Sequence, residues 1–229
     1  QCPVVIVHLT NREALREVEH ARQRGQTVYV ETCPQYLLLD ESVYFNPDWS
    51  SAARYVCAPP IRAKEEQDAL WKALRRGEIQ TISTDHCSFT LAQKELGRED
   101  FTRIPGGLPG VETRGELIYS YGVARKRISA ARMCRLLSEN PAKLYGLFPR
   151  KGILRPGSDA DIVVYDPGLS HVIEASDCVA NVDYNPYEGF VTAGGIRQVW
   201  LNGRLCVNQG AVLDETPQGQ FIARGKCSL

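Results

Sequence analysis

Residues 82–89 read ISTDHCSF, an apolar β-branched entry that runs into a carboxylate, an imidazole and a thiol, with hydroxyls on either side. A second imidazole, His8, closes the apolar run PVVIVHLT. Carboxylate oxygen and imidazole nitrogen are both good ligands for a hydrolytic divalent metal, and a carboxylate can also move protons. An ionised Asp85 where a buried strand ends is costly unless a metal, a cation or hydrogen bonds compensate it. Asp85 taken alone could equally cap a following helix, and His8 taken alone could be a satisfied structural histidine. Together, at strand ends, they favour a metal site.

His86 follows Asp85 directly. On an extended backbone its ring points to the opposite face, which gives it a supporting or structural role behind the site. Cys87 has no base placed to activate it, so a small inert thiol is the expectation.

The elements that must position these groups follow from periodicity. Val4 to Val7 form an apolar strand expected to be fully buried, and the helix after it can be capped by Thr10 or Asn11 and stops at Gly25. QTVYVETCPQYLLL predicts a second strand opening into a loop, and EEQDALWKALRRG a helix closed at Gly77 before the strand IQTIST. Three buried strands separated by helices imply parallel βα units, whose active sites are built from the loops leaving the carboxyl ends of the strands. His8 and Asp85 occupy two of those ends.

Helical patterning continues to about Pro149, with the Asn140-Pro141 step expected to break or restart a helix. The grammar then changes. GSDADIVVYD offers turn residues and a strand, and IRQVWLNGRLCVNQG alternates around the turn signal Asn202-Gly203. The expected organisation is an α/β part over 1–150, a small antiparallel β-domain over 151–212, and a polar segment 213–229 that is either an extended arm or a disordered end. Two loops could bring backbone close to a ligand: CAPPIR at 57–62, stiffened by two prolines, and IPGGLPGVETR at 104–114. The second lacks the spacing of a dinucleotide fingerprint.

Composition narrows the function classes. The chain has 229 residues, 43% of them hydrophobic, and equal numbers of acidic and basic side chains at 27 each. That content supports a globular core, and the zero net charge argues against nucleic acid or an anionic membrane as partner. No apolar run reaches membrane-spanning length and the start lacks a signal-peptide layout, which makes the cytoplasm the expected compartment. The eight cysteines, at 2, 33, 57, 87, 134, 178, 206 and 227, are scattered without zinc-finger spacing and are expected to be mostly reduced and buried.

The blocks VHLT, ETCPQYL, PPIR, STDHCSF, IPGGLPGVETR, LLSENPAKLYGL, GSDADIVVYD and YNPYEGF, in this order, resemble the cyclic amidohydrolases of the hydantoinase and dihydropyrimidinase family. The stretch SFTLAQKELGREDFTRIPGGLPGVETR and the closing ARGKC resemble its phenylhydantoinase branch. The resemblance implies a (β/α)8 TIM barrel with a small β-sandwich domain, of which this chain holds the C-terminal part. It implies two zinc ions bridged by a carboxylated lysine, with His8 matching a ligand of one and Asp85 matching the aspartate that binds the other and shuttles protons. The reaction it implies is attack by a metal-held hydroxide on a ring carbonyl, which opens the ring C–N bond to an N-carbamoyl amino acid. Substrates, small cyclic ureides or imides, would be gripped by main chain around Ala58 and Gly106, where Ser and Asn are commoner in the family.

The family's His-x-His pair, bridging lysine and further ligand histidine have no counterpart here, so an incomplete fragment is expected, inactive alone. The resemblance also implies a homotetramer for the complete protein. The rival expectation is a non-catalytic scaffold of the same fold; the presence of both His8 and Asp85 weighs against it.

Overall fold

The computed structural model describes residues 2–213 and 219–229. The first half is laid on three parallel strands in the order β1 (Val4–Ile6), β2 (Val28–Thr32) and β3 (Thr81–Ile82). Val4 pairs with Val28 and Thr32 with Ile82. The ladder extends by one bond at each end of β3, where the Gln80 N–H donates to the Val30 carbonyl at 2.9 Å and the Ser83 N–H to the Thr32 carbonyl at 3.0 Å.

Helix α1 (Arg12–Gln23) connects β1 to β2. Of the two capping candidates the structure selects Asn11, whose side chain accepts from the Ala14 N–H, while Thr10 is buried. After β2 come α2 (Pro34–Leu38), α3 (Trp49–Ala53) and α4 (Glu65–Arg76), the last ended by Gly77 at φ +92°. Helix α2 replaces the loop expected there: Pro34 sits in its first turn, where a missing N–H costs nothing, behind an extended Cys33.

Val30 and Ile82 share one face of the sheet and are covered by Leu15 and Val18 of α1 and Leu70 and Leu74 of α4, all buried. On the other face the Glu31 carboxylate accepts from the Ser83 hydroxyl at 2.7 Å and from Thr81 at 3.2 Å. The fully buried reading of β1 does not hold. Val4 and Ile6 are 45% and 38% exposed, because β1 has a neighbour on only one side among the described residues.

Four further helices follow, α5 (Leu91–Lys94), α6 (Arg114–Ile118), α7 (Ala130–Cys134) and α8 (Asn140–Leu144). Of the two outcomes expected at Asn140-Pro141 the structure shows the restart: α8 begins at Asn140 with Pro141 in its first turn, and the chain does not break. Arg135–Glu139 form a wider π-helical turn that joins α7 to α8, and Asn140 keeps helical angles (φ −65°, ψ −44°). Pro141 has no N–H to return to Leu137, and the wider turn spares its ring the clash with that carbonyl. The helix therefore passes through, with Leu136 fully buried and Asn140 Nδ2 donating to the Gln80 carbonyl at 2.8 Å.

A four-stranded antiparallel sheet, β4 (Ile162–Asp166), β5 (Gly195–Leu201), β6 (Arg204–Asn208) and β7 (Ala211–Val212), forms the rest. Asn202 and Gly203, at φ +49° and +78°, make the tight β5–β6 turn read from the sequence. Between β4 and β5 the chain leaves this sheet and returns to the first half, where Tyr187 is buried among Leu39, Ile61, Leu108, Leu117 and Ile173.

Residues 219–229 run back as an extended arm. The Gly225 N–H donates to the Gly146 carbonyl at 2.7 Å and Tyr29 Oη to the Leu229 carbonyl at 2.8 Å. Positions 214–218 of the expected C-terminal segment lie outside the described residues. The cysteines are all unpaired, but the buried reading fails for most: Cys2, Cys87, Cys134 and Cys227 are exposed and only Cys33 is fully buried. Exposed thiols fall in the terminal segments, on a helix exterior and at the rim beyond β3. Among the described residues no helix is long and apolar enough to cross a membrane.

Candidate active site

His8 and Asp85 stand just past the carboxyl ends of β1 and β3, with β2 between them, on the same rim of the parallel sheet. Strand spacing puts two such ends roughly 10 Å apart. Both residues adopt left-handed backbone angles, φ +42° at His8 and +50° at Asp85. Such conformations are uncommon for residues with a Cβ and concentrate at functional sites. They persist here because the chain on either side is tied down. The Leu9 N–H donates to the Glu31 carbonyl at 2.8 Å, and the buried Thr32 hydroxyl donates to the Leu9 carbonyl at 2.8 Å. Beside Asp85, Gln35 Nε2 reaches the Thr84 carbonyl at 3.3 Å, and the Cys87 N–H bonds the Leu108 carbonyl at 3.1 Å.

The desolvated carboxylate read from the sequence is not what this chain shows. Asp85 is exposed, since β3 ends at an open rim, and it caps no helix: Thr90 caps α5 instead, through a capping box with Gln93. His86 turns away toward the glycine-rich loop. Its Nδ1 accepts the N–H groups of Gly110 at 3.1 Å and Val111 at 3.3 Å, which fixes the ring as the Nε2–H tautomer and pins that loop to the rim. Cys87 is exposed.

The two loops singled out for backbone contact meet. A Cβ placed on Gly106 would lie 3.7 Å from the Ala58 nitrogen, and the Gly107 N–H donates to the Val56 carbonyl at 3.0 Å. Ala58 and Gly106 are both exposed at this junction. Tyr36 Oη holds the first loop through the Pro59 carbonyl at 3.0 Å, and the Ile61 N–H donates to Tyr44 Oη at 2.9 Å.

Beneath the junction sits a residue the sequence reading passed over. Lys94, at the end of α5, is fully buried, and its Nζ donates to the carbonyls of Val56 at 2.9 Å, Pro105 at 2.6 Å and Gly107 at 3.0 Å. Burial pushes its pKa down to about 8. Its position in a polar helical stretch, QKELG, gave no hint of burial.

A catalytic zinc takes three protein ligands as a rule. His8 and Asp85 would supply one donor apiece, and among the described residues no group of three or more His, Cys, Asp or Glu is gathered to hold an ion. The chemistry of the donors fits a metal, but the number present among the described residues does not close a site.

The pattern of the amidohydrolase family matches residues 4–206, and the chain belongs to that family. It is 43% identical, over 97% of its own length and 48% of the relative's, to a D-phenylhydantoinase from Escherichia coli O127:H6. The solved structure of a D-hydantoinase from Bacillus sp. AR9 superposes with a TM-score of 0.95 at 42% identity, covering 99% of this chain and 49% of that one. A dihydropyrimidinase from Brevibacillus agri superposes with a TM-score of 0.90 at 43% identity, over 93% of this chain and 46% of the other. The chain thus spans about half the length of the relatives it matches.

Proposed function

We propose that this chain is the C-terminal part of a metal-dependent cyclic amidohydrolase of the hydantoinase and dihydropyrimidinase type. In this reading 1–150 contributes the last strands and helices of a (β/α)8 barrel, 151–212 part of a β-sandwich, and 213–229 a C-terminal arm. Similarity along nearly the whole chain to D-hydantoinases supports it. The observation that carries it is the placing of His8 and Asp85 on one rim, both held in left-handed conformations.

Zinc ions at this rim, when bound, would polarise a ring carbonyl and acidify the attacking water. His8 would hold one ion and Asp85 the other. The Asp85 carboxylate takes the proton of the attacking water and returns it to the leaving ring nitrogen, the general base and then general acid of the ring opening. Main-chain groups at Ala58 and Gly106 hold the ureide, so a side chain smaller than Ser or Asn changes which ring fits more than whether a ring binds. A cytoplasmic homotetramer acting on small cyclic ureides or imides completes the reading, supported by the resemblance.

The test is made on the complete protein: metal content by elemental analysis, and turnover of five- against six-membered cyclic ureides and imides. Bound metal with ring opening is expected. A complete protein with neither fits the non-catalytic scaffold instead.

A further inference from the structure

The strongest unexplained feature of the molecule is a buried cation that touches neither His8 nor Asp85. Lys94 has no exposed surface, yet all three of its N–H donors have acceptors. Those acceptors belong to two separate stretches of chain, Val56 on one side and Pro105 and Gly107 on the other. Val56 also accepts the Gly107 N–H, so its carbonyl is the point where the stretches are stitched together. The Phe89 ring lies 5.5 Å from Nζ and closes the cage. A buried lysine so placed has lost its water and regained every hydrogen bond from backbone, which fixes the positions of the three carbonyls relative to one another.

We propose that Lys94 is a positioning residue for substrate, setting the gap between the Cys57–Ala58 and Gly106–Gly107 main chain and thereby which cyclic ureide ring is accepted. This rests on the ring-opening reading given above for the identity of the substrate, though not for the clamp itself. The geometry supports such a role. Ala58 and Gly106 are exposed directly above the clamped carbonyls, and neither carries a polar side chain, so their spacing is set by backbone alone. Gly107 adds rigidity: at φ +158°, a Cβ there would lie 2.3 Å from the Cys87 carbonyl oxygen, so the loop has no room to shift toward the rim.

The experiment compares the complete wild-type protein with Lys94→Met, which keeps the stem and removes the donors, and with Lys94→Arg, whose planar fork cannot point at three converging carbonyls. Amide exchange at Gly107 is expected to rise about tenfold or more in Lys94→Met, with protection in β5 and β6 unchanged. KM for a five-membered cyclic ureide is expected to rise about tenfold while kcat and metal content stay within about threefold, with Lys94→Arg impaired in the same sense.

Should neither variant fold, the wild-type pH profile decides. Below a pKa of about 8 the ammonium serves three carbonyls; above it the amine has two N–H groups and one carbonyl is orphaned, so KM rises while kcat holds. The titratable groups facing Nζ are the thiols of Cys57 and Cys87, and burial holds that of Cys57 up at about 11.

Unchanged exchange at Gly107, or a fall in kcat with KM intact, overturns the proposal. If the wild-type protein opens no cyclic ureide, the reading of function fails, and the exchange result still decides whether Lys94 is the clamp.

Discussion

The rim that carries His8 and Asp85 and the junction of the 57–62 and 104–114 loops lie side by side but are built on opposite terms. The rim is open: Asp85 is exposed, β1 has a neighbour on one side only among the described residues, and two donors do not make a metal site. The junction is closed, with each donor of Lys94 and the Nδ1 lone pair of His86 engaged within the chain. In the proposed reading the rim groups act on a shared ion and depend on what else surrounds them, whereas the junction shapes a substrate pocket and is finished locally. Substitutions in the rim that accept its left-handed backbone should therefore cost function and spare stability, and those in the junction should cost stability first.

The largest effect is expected at Asp85. Asp85→Asn, which tolerates the left-handed backbone, should lower turnover in the complete protein about 10³-fold and change unfolding free energy by less than about 0.5 kcal/mol. Steady-state kinetics beside urea melts measure both, and a loss below tenfold removes Asp85 from proton transfer. His8→Asn should weaken metal binding by about one to two orders of magnitude, read by competition with a chelator. Metal content insensitive to His8 would erase the contrast on the rim side.

On the junction side, Gly107→Ala forces a Cβ against the Cys87 carbonyl at a backbone angle that disfavours it, and should cost about 2 kcal/mol in urea unfolding. A neutral outcome would mean the loop is free to move. The smallest effect is expected at Thr90, whose capping box holds the helix that ends in Lys94. Thr90→Ala should cost about 1 kcal/mol and raise KM only a few-fold, since Lys94 keeps its three carbonyls.

Much of the site's frame was legible because it rests on local signals. Apolar runs ended by His8 and Asp85, Gly25 and Gly77 as helix stops, and Asn202-Gly203 as a hairpin turn are all written within a few residues of where they act. Other features depend on distant chain. Nothing near Lys94 announces that carbonyls 11, 13 and 38 positions away will surround it. The exposure of Val4 and Ile6 follows from what lies beside β1, which no pattern within β1 encodes. At Pro141 the local signal left two outcomes open, a break or a restart; the wider turn over Arg135–Glu139, which no local signal announces, is what lets α8 restart without a break.

The left-handed angles at His8 and Asp85 also bear on how mutational scans of this molecule should be read. Most side chains cost about 1–2 kcal/mol there from backbone alone, so a saturation library at either position will show depletion whether or not the side chain performs chemistry. Depletion by itself carries little information about mechanism. The informative variants are Asn and Gly, which accept the conformation and lack the original donor; their fitness relative to the remaining substitutions separates a requirement for shape from a requirement for an imidazole or a carboxylate.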